Sequence, residues 1–144
     1  MRVLIVEDDP GTRLVLRHLL ERSFGCEVVE AASGREALVS IVQQLPDVVI
    51  SDINMPEMDG RDLLRRLRAT PGTRTVPVVA ISSNTDRLTV QTMVMLGIED
   101  YLVKPINLEW TRQRLEKVFD RMAQRRAVTD IPLPAEKSAP PPAA

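Results

Sequence analysis

Apolar positions fall along the chain in two alternating patterns. Five short runs, at residues 3–6, 26–30, 48–50, 78–81 and 101–103, read as strands. Three of them are apolar throughout, as expected of parallel strands covered on both faces. Between the runs, apolar residues recur at helical spacing. Val15, Leu16, Leu19 and Leu20 share one face, as do Ala37, Leu38, Ile41, Val42 and Leu45. The second of these helices opens at Ser33, which with Glu36 has the spacing of a capping box. Leu63, Leu64 and Leu67 mark a third helix. Leu88, Met93, Val94 and Leu96 mark a fourth, stopped by Gly97, and Leu108, Leu115, Val118, Phe119 and Met122 mark a fifth. Five strands alternating with five helices predict a parallel α/β sandwich with right-handed crossovers.

The periodicity fades near residue 125. From Ala127 on, prolines 132, 134 and 140–142 alternate with alanines and few large apolar residues, a composition that cannot build a core. Residues 1–125 are therefore expected to fold, and 126–144 to form a disordered tail or linker. A chain of 144 residues suits one domain and needs no cross-links. Its single cysteine, Cys26, lies in an apolar run and reads as a small buried hydrophobe, which fits a reducing cytoplasm. The N-terminal "MRVLIVEDD" is too short in apolar residues for a signal or a membrane span. With 19 Lys+Arg against 20 Asp+Glu, the net charge of −1 gives no support to a nucleic-acid or membrane-surface binder. After Met122 too little chain remains for a helix-turn-helix domain.

Chemistry gathers where an open parallel sheet places it, beyond the carboxyl ends of the strands. After the first strand come Glu7, Asp8 and Asp9. The third, in "DVVISDINMPEMDG", ends on Asp52 and is followed by Asn54. The fourth ends in Ser82 and Ser83, the fifth in Lys104 and Pro105. Carboxylates so collected repel one another by roughly 1 kcal/mol at 4 Å in water and roughly 4 at an effective dielectric of 20. Such a cluster favours a hard divalent cation, Mg²⁺ or Mn²⁺. Asp9, before Pro10, reads as the cap of the first helix. Asp59 and Gly60 read as turn residues, and His18 as a partly exposed helix residue without a catalytic partner.

These separated motifs, "VLIVEDD", "DVVISDINMPEMDG", "VVAISS" and "DYLVKP", closely resemble the receiver domain of two-component response regulators, over about residues 2–123. The resemblance implies a doubly wound, flavodoxin-like (βα)5 sheet of order 2-1-3-4-5. It implies that Asp52 accepts a phosphoryl group from a sensor histidine kinase or a His-containing phosphotransfer protein. It implies Mg²⁺ held by Asp8, Asp52 and the main-chain carbonyl of Asn54, with Glu7 acting through water. Many members have Asp where this chain has Glu7. Ser82 and Lys104 would stabilise the phosphoryl group, Lys104 fixed by a cis peptide bond before Pro105, and Tyr101 would be an aromatic switch. The switched surface would be that of the fourth helix, fifth strand and fifth helix, read by an unknown downstream protein. Asn54 and Asn84 occupy positions that tune water access. The domain would be a signalling module, not an enzyme.

Two rivals share features of this pattern. A haloacid-dehalogenase-type phosphatase also uses an Asp nucleophile, Mg²⁺ and a Lys, but needs Asp-x-Asp after the first strand; here the acids are contiguous, and Asn54 cannot donate a catalytic proton. A receiver that binds partners without phosphorylation would not need the full residue set, which is present.

The fifth helix adds a feature of this chain alone. On a helical wheel with Leu108 at the centre of the buried face, Leu115, Phe119 and Met122 fall within about 40° of it. Trp110, Arg114, Lys117, Arg121 and Arg125 fall on another side, flanked by Glu109, Glu116 and Asp120. Trp beside Arg suits a binding surface, and segregated charges could pair across a two-fold axis into a homodimer.

Overall fold

A computed structural model describes residues 1–83 and 86–130. The elements alternate as β1 (Arg2–Val6), α1 (Pro10–Phe24), β2 (Glu27–Ala31), α2 (Gly34–Gln43), β3 (Val48–Asp52), α3 (Gly60–Ala69), β4 (Val78–Ser82), α4 (Arg87–Met95), β5 (Asp100–Val103) and α5 (Leu108–Asp130). The five strands form one parallel sheet of order β2-β1-β3-β4-β5.

The period of two along each strand divides the core into two layers. Val3, Ile5, Val48, Ile50, Val79 and Ile81 pack against Leu16 and Leu20 of α1 and Leu115 and Val118 of α5. Leu4, Val6, Val49, Val78 and Ala80 face Ile41 of α2, Leu63, Leu64 and Leu67 of α3 and Met93 of α4. β1, β3 and β4 are thus apolar on both faces, which is why their sequences run apolar without alternation. Cys26 is buried beside the first layer.

Helix starts follow the capping signals. Asp9 accepts from Thr12 N at 2.9 Å. Ser33 accepts from Glu36 N at 3.1 Å, and the Glu36 carboxylate reaches back to Ala32 N at 2.6 Å. Asp59, expected in a turn, is the N-cap of α3 and accepts from Arg61 N and Asp62 N at 2.9 and 3.0 Å. Its neighbour Gly60 is needed for close approach: a Cβ there would sit 2.8 Å from Ile53 Cα and against the carbonyl oxygen of Asp52.

Four helix faces depart from the apolar spacing; in α1, Leu16, Leu19 and Leu20 are buried but Val15 is exposed. In α4 the inward stripe is Thr89 and Met93, with Leu96 half-buried; Leu88 (72% exposed) and Val94 (61%) point outward. In α5 it is Thr111, Leu115, Val118 and Met122, so Leu108, 56% exposed, is not at its centre. In both helices a buried threonine stands where an apolar residue would have marked the face, and an exposed leucine drew the pattern away from it. Val42 and Leu45 are also exposed: within α2 the buried residues are Gly34, Ala37 and Ile41, with Val42 on the outer side, and Leu45 follows the end of the helix at Gln43.

α5 also runs further than expected. It continues to Asp130, with Arg125 on Glu99 at 2.6 Å and Arg126 on Asp47 at 3.5 Å holding turns that bury no large apolar side chain. The helix thus passes the expected boundary at residue 125; the remainder of the expected tail, and Asn84, lie outside the described residues.

Gly60→Ala should lower stability by about 2–3 kcal/mol, the range of an overpacked site, in urea unfolding followed by circular dichroism. Gly72→Ala, where an added Cβ meets nothing within 4 Å, should change it by less than about 0.5 kcal/mol.

Candidate functional site

The sheet order explains which residues meet. β1, β3, β4 and β5 are consecutive neighbours, so the residues leaving their carboxyl ends share one edge; β2, on the outside, adds none. Main-chain hydrogen bonds continue the ladders just past the strands: Glu7 N donates to Ala31 O, Ile53 N to Ile81 O and Lys104 N to Ser82 O, all within 3.0 Å. These bonds set Glu7, Asp52, Ser82 and Lys104 at one level. The Lys104–Pro105 peptide is cis, as the resemblance implied.

The centre of the site is a bridged pair of carboxylates. Glu7 is fully buried and Asp52 is 3% exposed. Lys104 Nζ donates to Glu7 Oε1 at 2.9 Å and to Asp52 Oδ2 at 2.7 Å. The other Asp52 oxygen, Oδ1, accepts from Asn54 N at 3.0 Å. Asp9 N donates to Glu7 Oε1 at 3.3 Å, and Arg13 Nη1 to the main-chain oxygen of Glu7 at 2.7 Å. Asp8 is exposed at the rim, with a carboxylate oxygen within 4.8 Å of oxygens of Glu7 and Asp52.

Two carboxylates and one ammonium leave negative charge uncompensated, in a place that burial makes costly for Glu7. Burial pushes its pKa up to about 7; Lys104 opposes the rise and the adjacent Asp52 adds to it. Burial pulls the Lys104 ammonium down, but its hydrogen bonds to Asp52 and Glu7 outweigh that and hold it above its ordinary value. Glu7 Oε2 is buried with no hydrogen-bond partner. An orphaned buried carboxylate oxygen beside two further carboxylates is the environment a hard divalent cation completes. The residues present therefore fit Mg²⁺.

The sequence reading gave Asn54 a role through its carbonyl; its side chain has another. Asn54 Nδ2 donates to Ser82 Oγ at 2.9 Å, across 28 residues. No local signal in the sequence announces this bond. Ser82 is fully buried, and Tyr101, two strand positions before Val103 that pairs with Ser82, is half-buried against the α2–α4 layer. His18 is exposed on α1.

The α5 residues are distributed differently from a free basic stripe. Arg114 stacks over Trp110 at 5.2 Å and forks onto Asp100, with Nε 2.8 Å from Oδ2. Arg121 donates to Glu99 O at 2.9 Å, and Arg125 to the Glu99 carboxylate. The basic side of α5 thus closes on the acids before and at the start of β5 within the same chain. Lys117 has no ion pair among the described residues, and Trp110 is 37% exposed.

The shift on Glu7 gives stability a pH dependence. Its folded pKa is raised, so its contribution is fully present below about 4.5 and is lost as pH rises through about 7. Metal-free Glu7→Gln should match the parent near pH 4.5 and exceed its stability at pH 8 by on the order of a few kcal/mol, read from denaturant midpoints. A difference that does not vary with pH would contradict the assignment.

Over residues 3–116 the sequence matches the family described as response regulator receiver domain. It is 39% identical over 107 residues to an uncharacterized 14.6 kDa protein of Leptolyngbya boryana, covering 74% of this chain and 81% of that one. It is 33% identical over 119 residues to a probable chemotaxis protein CheY of Rhizobium etli, covering 83% and 92%. Among solved structures, the receiver domain of sensor histidine kinase PA1611 from Pseudomonas aeruginosa, with a magnesium ion coordinated in its active site cleft, superposes with a TM-score of 0.72. That similarity is at 31% identity and covers 85% of this chain and 97% of that one. Two protein-glutamate methylesterases, of Trichodesmium erythraeum and a Nocardioides species, are matched over only 34% and 38% of their own length. A match that runs from β1 into α5, on this sheet order, means that the chain belongs to the response regulator receiver domain family.

Proposed function

We propose that this receiver is a Mg²⁺-dependent phosphoacceptor whose nucleophile is Asp52. The observation that carries the reading is the state of that carboxylate: it is buried at a strand end, one oxygen on Lys104 and the other on a main-chain N–H, beside two further acids. Such an oxygen is held in place and attacks without having to be ordered first. The donor is a phosphohistidine of a sensor kinase or phosphotransfer protein. The N–P bond breaks, its electron pair returns to the imidazole, and an Asp52 O–P bond forms. Phosphoryl transfer is mostly positioning and charge neutralisation. Bound by Asp8, Asp52 and the Asn54 carbonyl, with Glu7 behind a water, Mg²⁺ would supply positive charge for the phosphoryl oxygens. Lys104, released from its bridge, supplies a second positive charge from the opposite side.

Ser82 supplies a neutral donor. Its oxygen accepts from Asn54 Nδ2, which orients the hydroxyl, and its proton would turn to a phosphoryl oxygen. Moving Ser82 toward the phosphoryl group makes room for Tyr101 to turn inward, and this shifts the α4–β5–α5 surface between two populations. On that surface Leu88, Val94 and Met95 are exposed along α4, and Trp110, Arg114, Lys117 and Arg121 along α5. It is the surface a downstream protein, or a second copy of the chain, would read. No described helix is long and apolar enough to cross a membrane, and cytoplasmic action fits a kinase partner that signals inside the cell.

Incubation with Mg²⁺ and a small-molecule phosphodonor should add one phosphoryl group, mapped to Asp52 by peptide mass spectrometry after reductive trapping. Asp52→Asn should add none, and a group mapped to His18 or to a serine would overturn the assignment. Asp8→Ala should weaken Mg²⁺ binding at least tenfold in calorimetry, the loss of one charged ligand, while raising metal-free stability through relieved repulsion. Lys104→Ala should slow phosphorylation by 10-fold or more while Mg²⁺ still binds.

A further inference from the structure

A cleft of about 390 Å³ opens on the side of the molecule between the start of α2 and α3, away from the α4–β5–α5 surface. Its floor is the loop that leaves Asp52: Pro56 and Met58 line it, and Met58 is seated on Gly34, where an added Cβ would come within 2.9 Å of its Cγ. Its rim carries Arg35 from α2 and Arg65 and Arg66 from α3.

Most other surface cations are already paired. Arg13 and Arg17 pair with Glu30, Arg112 with Glu109 and Glu116, Arg114 with Asp100, and Arg121 and Arg125 with Glu99. Arg22, Arg74, Arg87 and Lys117 lack an ion pair among the described residues, but Arg22 and Lys117 line separate clefts beside paired arginines, and Arg74 and Arg87 line neither of these. Arg35 and Arg66 both lack an ion pair among the described residues, and they line one cavity from two different helices. Glu57 and Asp62 are also on the rim; Asp62 reaches Arg65 only at 3.4 Å, with both side chains more than half exposed, a weak attachment that a competing carboxylate can replace.

We infer that this cleft docks an acidic segment of a partner protein, its carboxylates on Arg35 and Arg66 and an apolar side chain on Pro56 and Met58. Guanidinium forks suit carboxylates in bidentate geometry, and the half-buried Met58 offers an adaptable apolar seat. The inference stands apart from phosphorylation at Asp52, but the two sites share a loop. Residues 53–59 run from Asp52 to the cap of α3, and Glu57 within them holds a left-handed φ of 67°. A ligand that clamps Pro56 and Met58 restrains the segment that carries Asn54.

The test uses the full chain and a fluorescein-labelled, end-capped hexapeptide of Glu and Asp with one central Leu, followed by anisotropy at low salt. Saturable binding of one peptide per chain is expected. The double variant Arg35→Glu/Arg66→Glu, folded by circular dichroism, should bind at least tenfold more weakly; Arg22→Glu should stay within twofold of the parent; and replacing the peptide leucine by serine should weaken binding. No binding to the parent, or equal binding to the double variant, overturns the inference. So does an equal loss in Arg22→Glu, which would mean diffuse attraction. Tighter binding of a single-stranded oligonucleotide of equal charge through the same two arginines would show a nucleic-acid surface instead, and would overturn it too.

Discussion

Lys104 Nζ lies between two carboxylates that the fold has taken out of water, and the site depends on that bridge. Glu7 and Asp52 come from the ends of adjacent strands, 45 residues apart in sequence, and Lys104 arrives from a third strand end. Like charges at this range cost about 4 kcal/mol at an effective dielectric of 20. One ammonium offsets part of that cost; burial, with Asp52 adding to it, still leaves Glu7 with a pKa of about 7, and one of its oxygens has no donor. The folded protein therefore contains an unmet demand for positive charge at the place where phosphoryl chemistry would supply a cation and a tetrahedral anion together.

The rest of the architecture serves that geometry. The order β2-β1-β3-β4-β5 makes neighbours of the four strands that carry chemistry and puts the one that carries none at an edge. Apolar layers on both faces fix the strand registers, so Glu7, Asp52, Ser82 and Lys104 have little freedom to drift. Gly60 lets α3 start against the main chain of Asp52. Arg68, from the end of α3, donates to the carbonyls of Leu96 and Gly97 at the end of α4 and of Val76 before β4, tying the ends of α3 and α4 together. Asn54 joins the loop after Asp52 to the Ser82 hydroxyl, so movement at either is felt by the other.

Much of this was legible in sequence because it rests on local signals. Continuous apolar runs identified the three central strands, and Ser33 with Glu36 and Asp9 before Pro10 marked helix starts that the structure keeps. The acids and the lysine could be placed at one edge because parallel sheets expose strand ends together. Less legible were features set by tertiary context. Thr89 and Thr111 face the core, and their polarity shifted the apparent buried faces of α4 and α5 onto Leu88 and Leu108. The basic stripe of α5 looked free because Glu99 and Asp100, which accept it, belong to another element. Helix α5 passes residue 125 on ion pairs from Arg125 and Arg126, which carry no periodicity. The Asn54–Ser82 bond spans 28 residues and left no trace in spacing.

The central claim is that Lys104, which in the resting site bridges the Glu7 and Asp52 carboxylates, leaves Asp52 for the phosphoryl group once a cation is bound. It is tested most directly by a crystal structure with Mg²⁺ and beryllium fluoride, a phosphoryl mimic. The account predicts the mimic on an Asp52 oxygen, the cation between Asp8, Asp52 and the Asn54 carbonyl, and Lys104 Nζ moved from Asp52 Oδ2 to a fluoride. Ser82 Oγ should donate to another fluoride while still accepting from Asn54 Nδ2. An intact Lys104–Asp52 bridge with the mimic absent or bound elsewhere, under conditions where Mg²⁺ saturates the protein, would contradict it.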